Sequence, residues 1–173
     1  AEARLLDAGR AVGGPSVSPL VAADVCSRNL PGTGHHLSAG QAASVQQIVT
    51  SSRVVDLLVG AAGTGKSTAM RGAREAWERE HGPGSVVGLA PSAAAAEVLA
   101  DVVGIATENT AKWLTEARRR PQRLADIDQL RAELYRASPS LRTRAMLHRA
   151  KTITAEVQRG SLRPGQLVMV DEA

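Results

Sequence analysis

The sequence predicts an α/β fold built on a parallel sheet, and three observations carry the prediction. Apolar runs of strand length at 54–59 and 86–90 are each followed by a helical pattern, which implies parallel strands joined by right-handed crossovers. A glycine-rich turn, Gly60-Ala61-Ala62-Gly63-Thr64-Gly65-Lys66-Ser67-Thr68, separates the first of these runs from its helix. A third apolar run, 167–170, ends in the carboxylate pair Asp171-Glu172.

Taken in order, 1–37 is weakly patterned and reads as a lead-in from an upstream domain. Within it, 2–12 suits a short helix ended by Gly13-Gly14, and Ser18-Pro19 has the form of a helix start, Ser as N-cap and Pro at the first helical position. Residues 30–34, Leu-Pro-Gly-Thr-Gly, read as a loop. The stretch 38–50 reads as a helix: Ser38 and Gln41 have capping-box spacing, and Val45, Ile48 and Val49 give it an apolar side. After Lys66 a helix is expected to run to about Glu80 and stop near Gly82-Pro83-Gly84. Pro91-Ser92 opens another over 93–103, with Val98, Leu99, Val102 and Val103 inward and Glu97 and Asp101 outward. Between 110 and 160 the pattern is helical only. One helix covers 110–119 and is ended by Pro121, Leu124, Ile127, Leu130 and Leu134 mark a second, and Met146, Ala150, Ile153 and Val157 a third that Gly160 can cap. The expected organisation is one domain over 38–173 with a helical, basic insertion at about 115–162.

A chain of 173 residues can bury one ordinary core. It begins with Ala and ends inside a motif, so it is expected to be part of a longer protein. The single cysteine, Cys26, excludes an internal disulfide and fits a reducing, cytoplasmic setting. The most apolar long stretch, 86–106, contains Pro91, Glu97 and Asp101 and is not a membrane span, so no membrane partner is expected. Phe is absent, and Trp77, Trp113 and Tyr135 are the only aromatics. The core is therefore aliphatic, and stacking of bases on aromatic rings is excluded as a main mode of nucleic-acid binding. Charge is unevenly placed: 112–163 holds 13 basic and 5 acidic residues, against 8 and 10 in 1–111. That basic segment is either an electrostatic footprint for a polyanion or a solvated arginine-rich face.

Residues 60–68 fit G-x-x-x-x-G-K-[ST], the phosphate-gripping P-loop. Phosphate oxygens need several donors at close range. Gly63 and Gly65 let the backbone fold around them with its N–H groups inward, and the helix starting near Lys66 adds its positive end. Lys66 supplies a mobile charge to the β and γ phosphates of ATP, and the Ser67 hydroxyl is placed to ligate Mg²⁺. In a parallel sheet the carboxyl end of 167–170 lies beside such a loop. Asp171 would then hold Mg²⁺ through water, and Glu172 would orient or deprotonate the attacking water. Gln41 has two compatible readings, the capping partner of Ser38 or an amide that reads an adenine edge. Ser92 is either a plain N-cap or a hydroxyl contacting phosphate at the sheet's carboxyl edge. His35-His36 lacks companion ligands for a metal.

Leu37-Ser38-x-x-Gln41, the 60–68 loop, Gly88-Leu89-Ala90-Pro91-Ser92 and Val170-Asp171-Glu172-Ala173 occur in this order in superfamily 1B DNA helicases of the RecD-like type, which the chain resembles. More narrowly, 86–114 resembles the helicase part of MobF-type conjugative relaxases of actinobacteria. The likeness covers about 37–115 and 162–173. It implies the first part of a RecA-like P-loop NTPase domain, with Gln41 at the adenine, Gly60 to Thr68 around the phosphates, Pro91-Ser92 on the path of single-stranded DNA, and Asp171 and Glu172 at Mg²⁺ and water. The implied parent is an ATP-dependent DNA helicase of 5′-to-3′ direction acting in conjugation, with single-stranded DNA and the rest of the relaxase chain as partners. Such helicases complete their site with arginines from a second lobe, whose loss typically costs ~10³–10⁵ in rate. This stretch alone is accordingly expected to bind Mg-nucleotide weakly and not to unwind DNA. The rival expectations are a P-loop ATPase that moves no nucleic acid and a truncated DNA-binding remnant.

Overall fold

In the computed structural model, which describes residues 2–31, 34–61 and 63–171, the helices are α1 (Glu2–Arg10), α2 (Pro19–Cys26), α3 (Ala39–Thr50), α4 (Lys66–His81), α5 (Ala93–Val103), α6 (Thr110–Arg136) and α7 (Leu141–Arg159). The strands are β1 (Val86–Ala90), β2 (Ala106–Asn109) and β3 (Leu167–Val170). They form a three-stranded parallel sheet in the order β2-β1-β3, flanked by helices, as an α/β fold requires. β1 pairs with β3 from Val86↔Leu167 to Leu89↔Val170. The ladder extends at both ends, Leu167 N–H to Ser85 O at 2.9 Å and Asp171 N–H to Leu89 O at 3.1 Å.

The chain forms two units, 1–108 with 164–173, and 109–163. In the first, the core gathers Val17, Ala22, Val25, Leu30, Leu37, Val45, Val49, Ala73, Trp77, Val86, Leu99, Val103 and Met169. Each fully buried Val or Leu stabilises the fold by roughly 1.5–3 kcal/mol. The 1–37 stretch, expected as a lead-in, thus supplies Val17, Ala22, Val25, Leu30 and Leu37 to this core. Its Gly32 and Thr33 lie outside the described residues. Val45 on α3 and Leu37 press on α4 at Gly72, where a Cβ would stand 3.0 Å from Leu37 Cδ1 and 3.2 Å from Val45 Cγ2. A glycine at that crossing sets the closeness of the two helices. Trp77 is 5 % exposed, and its indole N–H donates to Gly165 O at 3.0 Å, tying α4 to the turn before β3.

Three expectations fail, and one strand was not anticipated. The run 54–59 is not a strand: Val54, Val55, Leu57 and Val59 are exposed, and Arg53, just before it, makes only an isolated bridge to Val12. A strand is fixed by its ladder, and no described strand lies alongside this run. Conversely, Ala-Thr-Glu-Asn carries no apolar alternation, yet it forms β2 because a ladder is available on the edge of β1. Gly88 makes room there, since a Cβ on it would strike the Thr107 side chain. Pro121 does not end a helix: α6 runs through it. The proline is exposed, and α6 is held to α7 on both sides of it, by Arg120 to O of Gly160, the C-cap of α7, and by Arg123 to Glu156 at 3.5 Å, while Arg123 also pairs with Glu116 within α6 at 2.6 Å. Val98 points outward, 61 % exposed, because the buried face of α5 is Ala96, Leu99 and Val103. Among the described residues no helix is long and apolar enough to cross a membrane.

Candidate nucleotide-binding site

The glycine-rich turn is built from backbone conformations that side chains resist. Gly63 has φ +78° and Gly65 φ +80°, in the left-handed region. Gly65 is the N-cap of α4 and offers no side-chain cap, so the first N–H groups of a 16-residue helix have no capping side chain. With the helix dipole behind them they form an anion-binding end. Thr64 closes the turn on Ala61 O, from its N–H at 3.3 Å and its hydroxyl at 2.8 Å. A Cβ on Gly60 would sit 2.7 Å from that hydroxyl, which explains the first glycine of the motif.

Lys66 begins α4 and folds back, its Nζ donating to Gly60 O at 2.7 Å and Ala61 O at 3.1 Å. The ammonium is thereby held over the loop it serves. Ser67 is exposed on the first turn, Thr68 half-buried, and Ala69 buried beneath them. Ala62 lies outside the described residues.

Gln41 meets the loop as well. The capping box with Ser38 is present: Ser38 N–H donates to Gln41 Oε1 at 2.9 Å, and Gln41 N–H to Ser38 Oγ at 3.3 Å. The side-chain Nε2 donates to Thr64 O at 3.3 Å and Gly65 O at 3.4 Å. This second pair of bonds was not legible in the capping pattern, which concerns only α3.

The remaining candidates gather at the carboxyl edge of the sheet. Register places Asp171, half-buried, level with Ala90, after which come Pro91 and Ser92, both exposed. Ser92 Oγ accepts from Ala95 N–H at 3.0 Å, so the N-cap reading holds in the structure. Glu172 lies outside the described residues. Among the described residues neither a hydrogen bond nor an ion pair joins Asp171 to Lys66. Near His35-His36 the chain makes backbone links instead, Leu30 N–H to His35 O at 3.0 Å and a bridge from Asn29 to His36.

Two residues of α4 were missed. Arg71 donates to Val102 O, and Arg74 to Val103 O at 3.0 Å, satisfying the carbonyls that end α5. Their i, i+3 spacing on one helix face was the available signal, read only as part of the overall charge. They anchor the phosphate-loop helix to the helix that follows β1.

Mg²⁺ prefers hard oxygen ligands, and the Ser67 hydroxyl and the Asp171 carboxylate are each of that chemistry. No curated protein and no solved structure matches the chain. Residues 36–173, which hold the glycine turn, Gln41 and Asp171, match the AAA domain, and the chain belongs to that family of P-loop NTPases.

Proposed function

We propose that this chain is the nucleotide-binding part of an ATP-driven motor that works on single-stranded DNA. The observation that carries the reading is the left-handed Gly63/Gly65 turn opening directly into α4 with Lys66 as its first residue. In this reading the backbone donors of the turn and the Lys66 ammonium hold the β and γ phosphates. Ser67 and Asp171 hold the magnesium, and Glu172 orients water. Bound Mg²⁺ neutralises charge that develops on the transferring phosphoryl group. The described residues orient and hold; the stabilising arginines of such sites are proposed to come from a second lobe of the parent protein.

The DNA-directed part rests on the helicase resemblance and on the charge of the second unit. All five carboxylates of 109–163 are engaged within it: Glu116 and Glu156 with Arg123, Asp128 with Arg131, Asp126 with Gln122 and Glu133 with Gln129. Over 141–155, α7 carries no acidic residue, and Arg142, Arg144, Arg149 and Lys151 are exposed with no acidic partner among the described residues. Pro91 and Ser92 are proposed as further contacts to the strand, and conjugative DNA transfer as the setting.

The deciding experiment has two arms. Lys66→Ala should weaken Mg-ATP binding at least tenfold, since a charge-assisted hydrogen bond contributes about 1.5–3 kcal/mol. ATP hydrolysis by the full-length parent should rise sharply with single-stranded DNA. An ATPase indifferent to DNA would favour a nucleotide enzyme of another kind. DNA binding that survives Lys66→Ala, with no nucleotide affinity in the native chain, would favour a non-catalytic binding remnant.

A further inference from the structure

The bonds of Gln41 tie it to the glycine turn as well as to the cap of α3. The Oε1 faces an N–H and the Nε2 faces two carbonyls, so the orientation of the amide is fixed by its partners. The Nε2 lies within hydrogen-bond distance of both carbonyls, so the amide is turned toward the loop backbone. The residue is also delivered to the loop by packing. Gln41, Val45 and Val49 lie at i, i+4 and i+8 on α3, and the two valines, 1 % and 0 % exposed, are fixed in the core that α3 shares with α4. A Cβ on Gly65 would fall on Gln41 Nε2, so the third motif glycine is required by this neighbour as well as by its φ of +80°.

The two carbonyls that Gln41 holds belong to the peptide units whose N–H groups are those of Gly65 and Lys66. In a planar trans peptide the N–H points opposite to the C=O. Drawing the two oxygens toward α3 therefore turns these two N–H groups away from α3. They are donors at the very end of α4 where an anion would be gripped. We propose that Gln41 is a positioning residue for the phosphate loop: it sets the aim of the Gly65 and Lys66 peptide donors and acts on the triphosphate, without selecting the base. The proposal rests on the reading that 60–68 holds phosphate.

Two consequences separate it from adenine reading. Removing the amide should weaken every triphosphate alike, and the preference between bases should not move. The test is calorimetric titration of the chain with Mg-ATP, Mg-GTP and Mg-tripolyphosphate, comparing native protein with Gln41→Met and Ser38→Ala. Met is neutral and similar in length, so neither added charge nor a cavity confuses the result. Gln41→Met should lose about three- to tenfold in affinity for all three ligands, as expected for one or two neutral hydrogen bonds. Ser38→Ala, which removes the other half of the α3 cap, should leave all three affinities within twofold. A loss confined to Mg-ATP, with Mg-GTP and Mg-tripolyphosphate unchanged, would overturn the proposal in favour of base reading. No loss for any ligand would overturn it too. If the native chain binds none of the three, the phosphate-loop reading itself fails, which is evident before any variant is made.

Discussion

Individual residues here are explained by which of their atoms are already engaged. Lys66 and Gln41 both reach carbonyls of the loop, one from within it and one from α3. Cys26 shows the opposite situation. Burial pushes its thiol pKa up, a hydrogen bond with Gln46 lowers it in part, and the Sγ–H reaches Ala42 O at 3.7 Å. A raised pKa leaves less thiolate at neutral pH, and thiolate is the reactive form. Alkylation of native Cys26 by iodoacetamide should therefore be much slower than that of a free thiol at pH 7. It should quicken as pH rises and reach the free-thiol rate in denaturant. Rapid labelling of the native chain would show that α2 is not seated as described.

At the scale of elements, what the sequence disclosed depended on how local the cause was. Helix starts were legible, because Ser18, Ser38 and Ser92 each accept a bond from their own first turn. β1 and β3 were legible from dense apolar runs. The run 54–59 was misread and the edge strand β2 not anticipated for one reason: strand formation depends on a neighbour in space, which neither Val-Val-Asp-Leu-Leu-Val nor Ala-Thr-Glu-Asn discloses. The glycine turn was legible because its geometry is written in its own residues, whereas the grip of Gln41 depends on how α3 packs against α4. Pro121 was misjudged because a local rule was applied to a helix supported from outside. It still removes an N–H from the interior of α6, where Pro costs ~3 kcal/mol relative to Ala. Pro121→Ala should thus stabilise the second unit by about 1–3 kcal/mol in denaturant unfolding. A loss of stability would mean that the α6–α7 packing needs the bend that proline favours.

Across the whole molecule, the uneven charge gives the most direct test of what the chain meets. If α7 follows a phosphodiester backbone, binding of single-stranded DNA should weaken with salt as counterions are released. Neutralising Arg144 and Lys151, both exposed on α7, should reduce the log–log salt slope by about 1.4, at about 0.7 per phosphate contact on single strands. A slope unchanged in the double variant would assign the arginines of α7 to solvation alone. The exposed apolar run at 54–59 acts at the same scale. Val55, Leu57 and Val59 present a bare hydrophobic ribbon of the kind that promotes association between copies.

The seat of Trp77 has an optical consequence. The chain absorbs and emits through two indoles, one in each unit, with a lone and almost fully exposed Tyr135 as the other chromophore. Trp77 is screened from water and lies on the same rigid helix as Lys66, eleven residues on, or ~16 Å along the axis. Replacing Trp113 by phenylalanine would leave a single blue-shifted fluorophore on the helix that carries the glycine turn. Its emission maximum would report, without any attached dye, whether filling that turn shifts the helix or leaves it at rest.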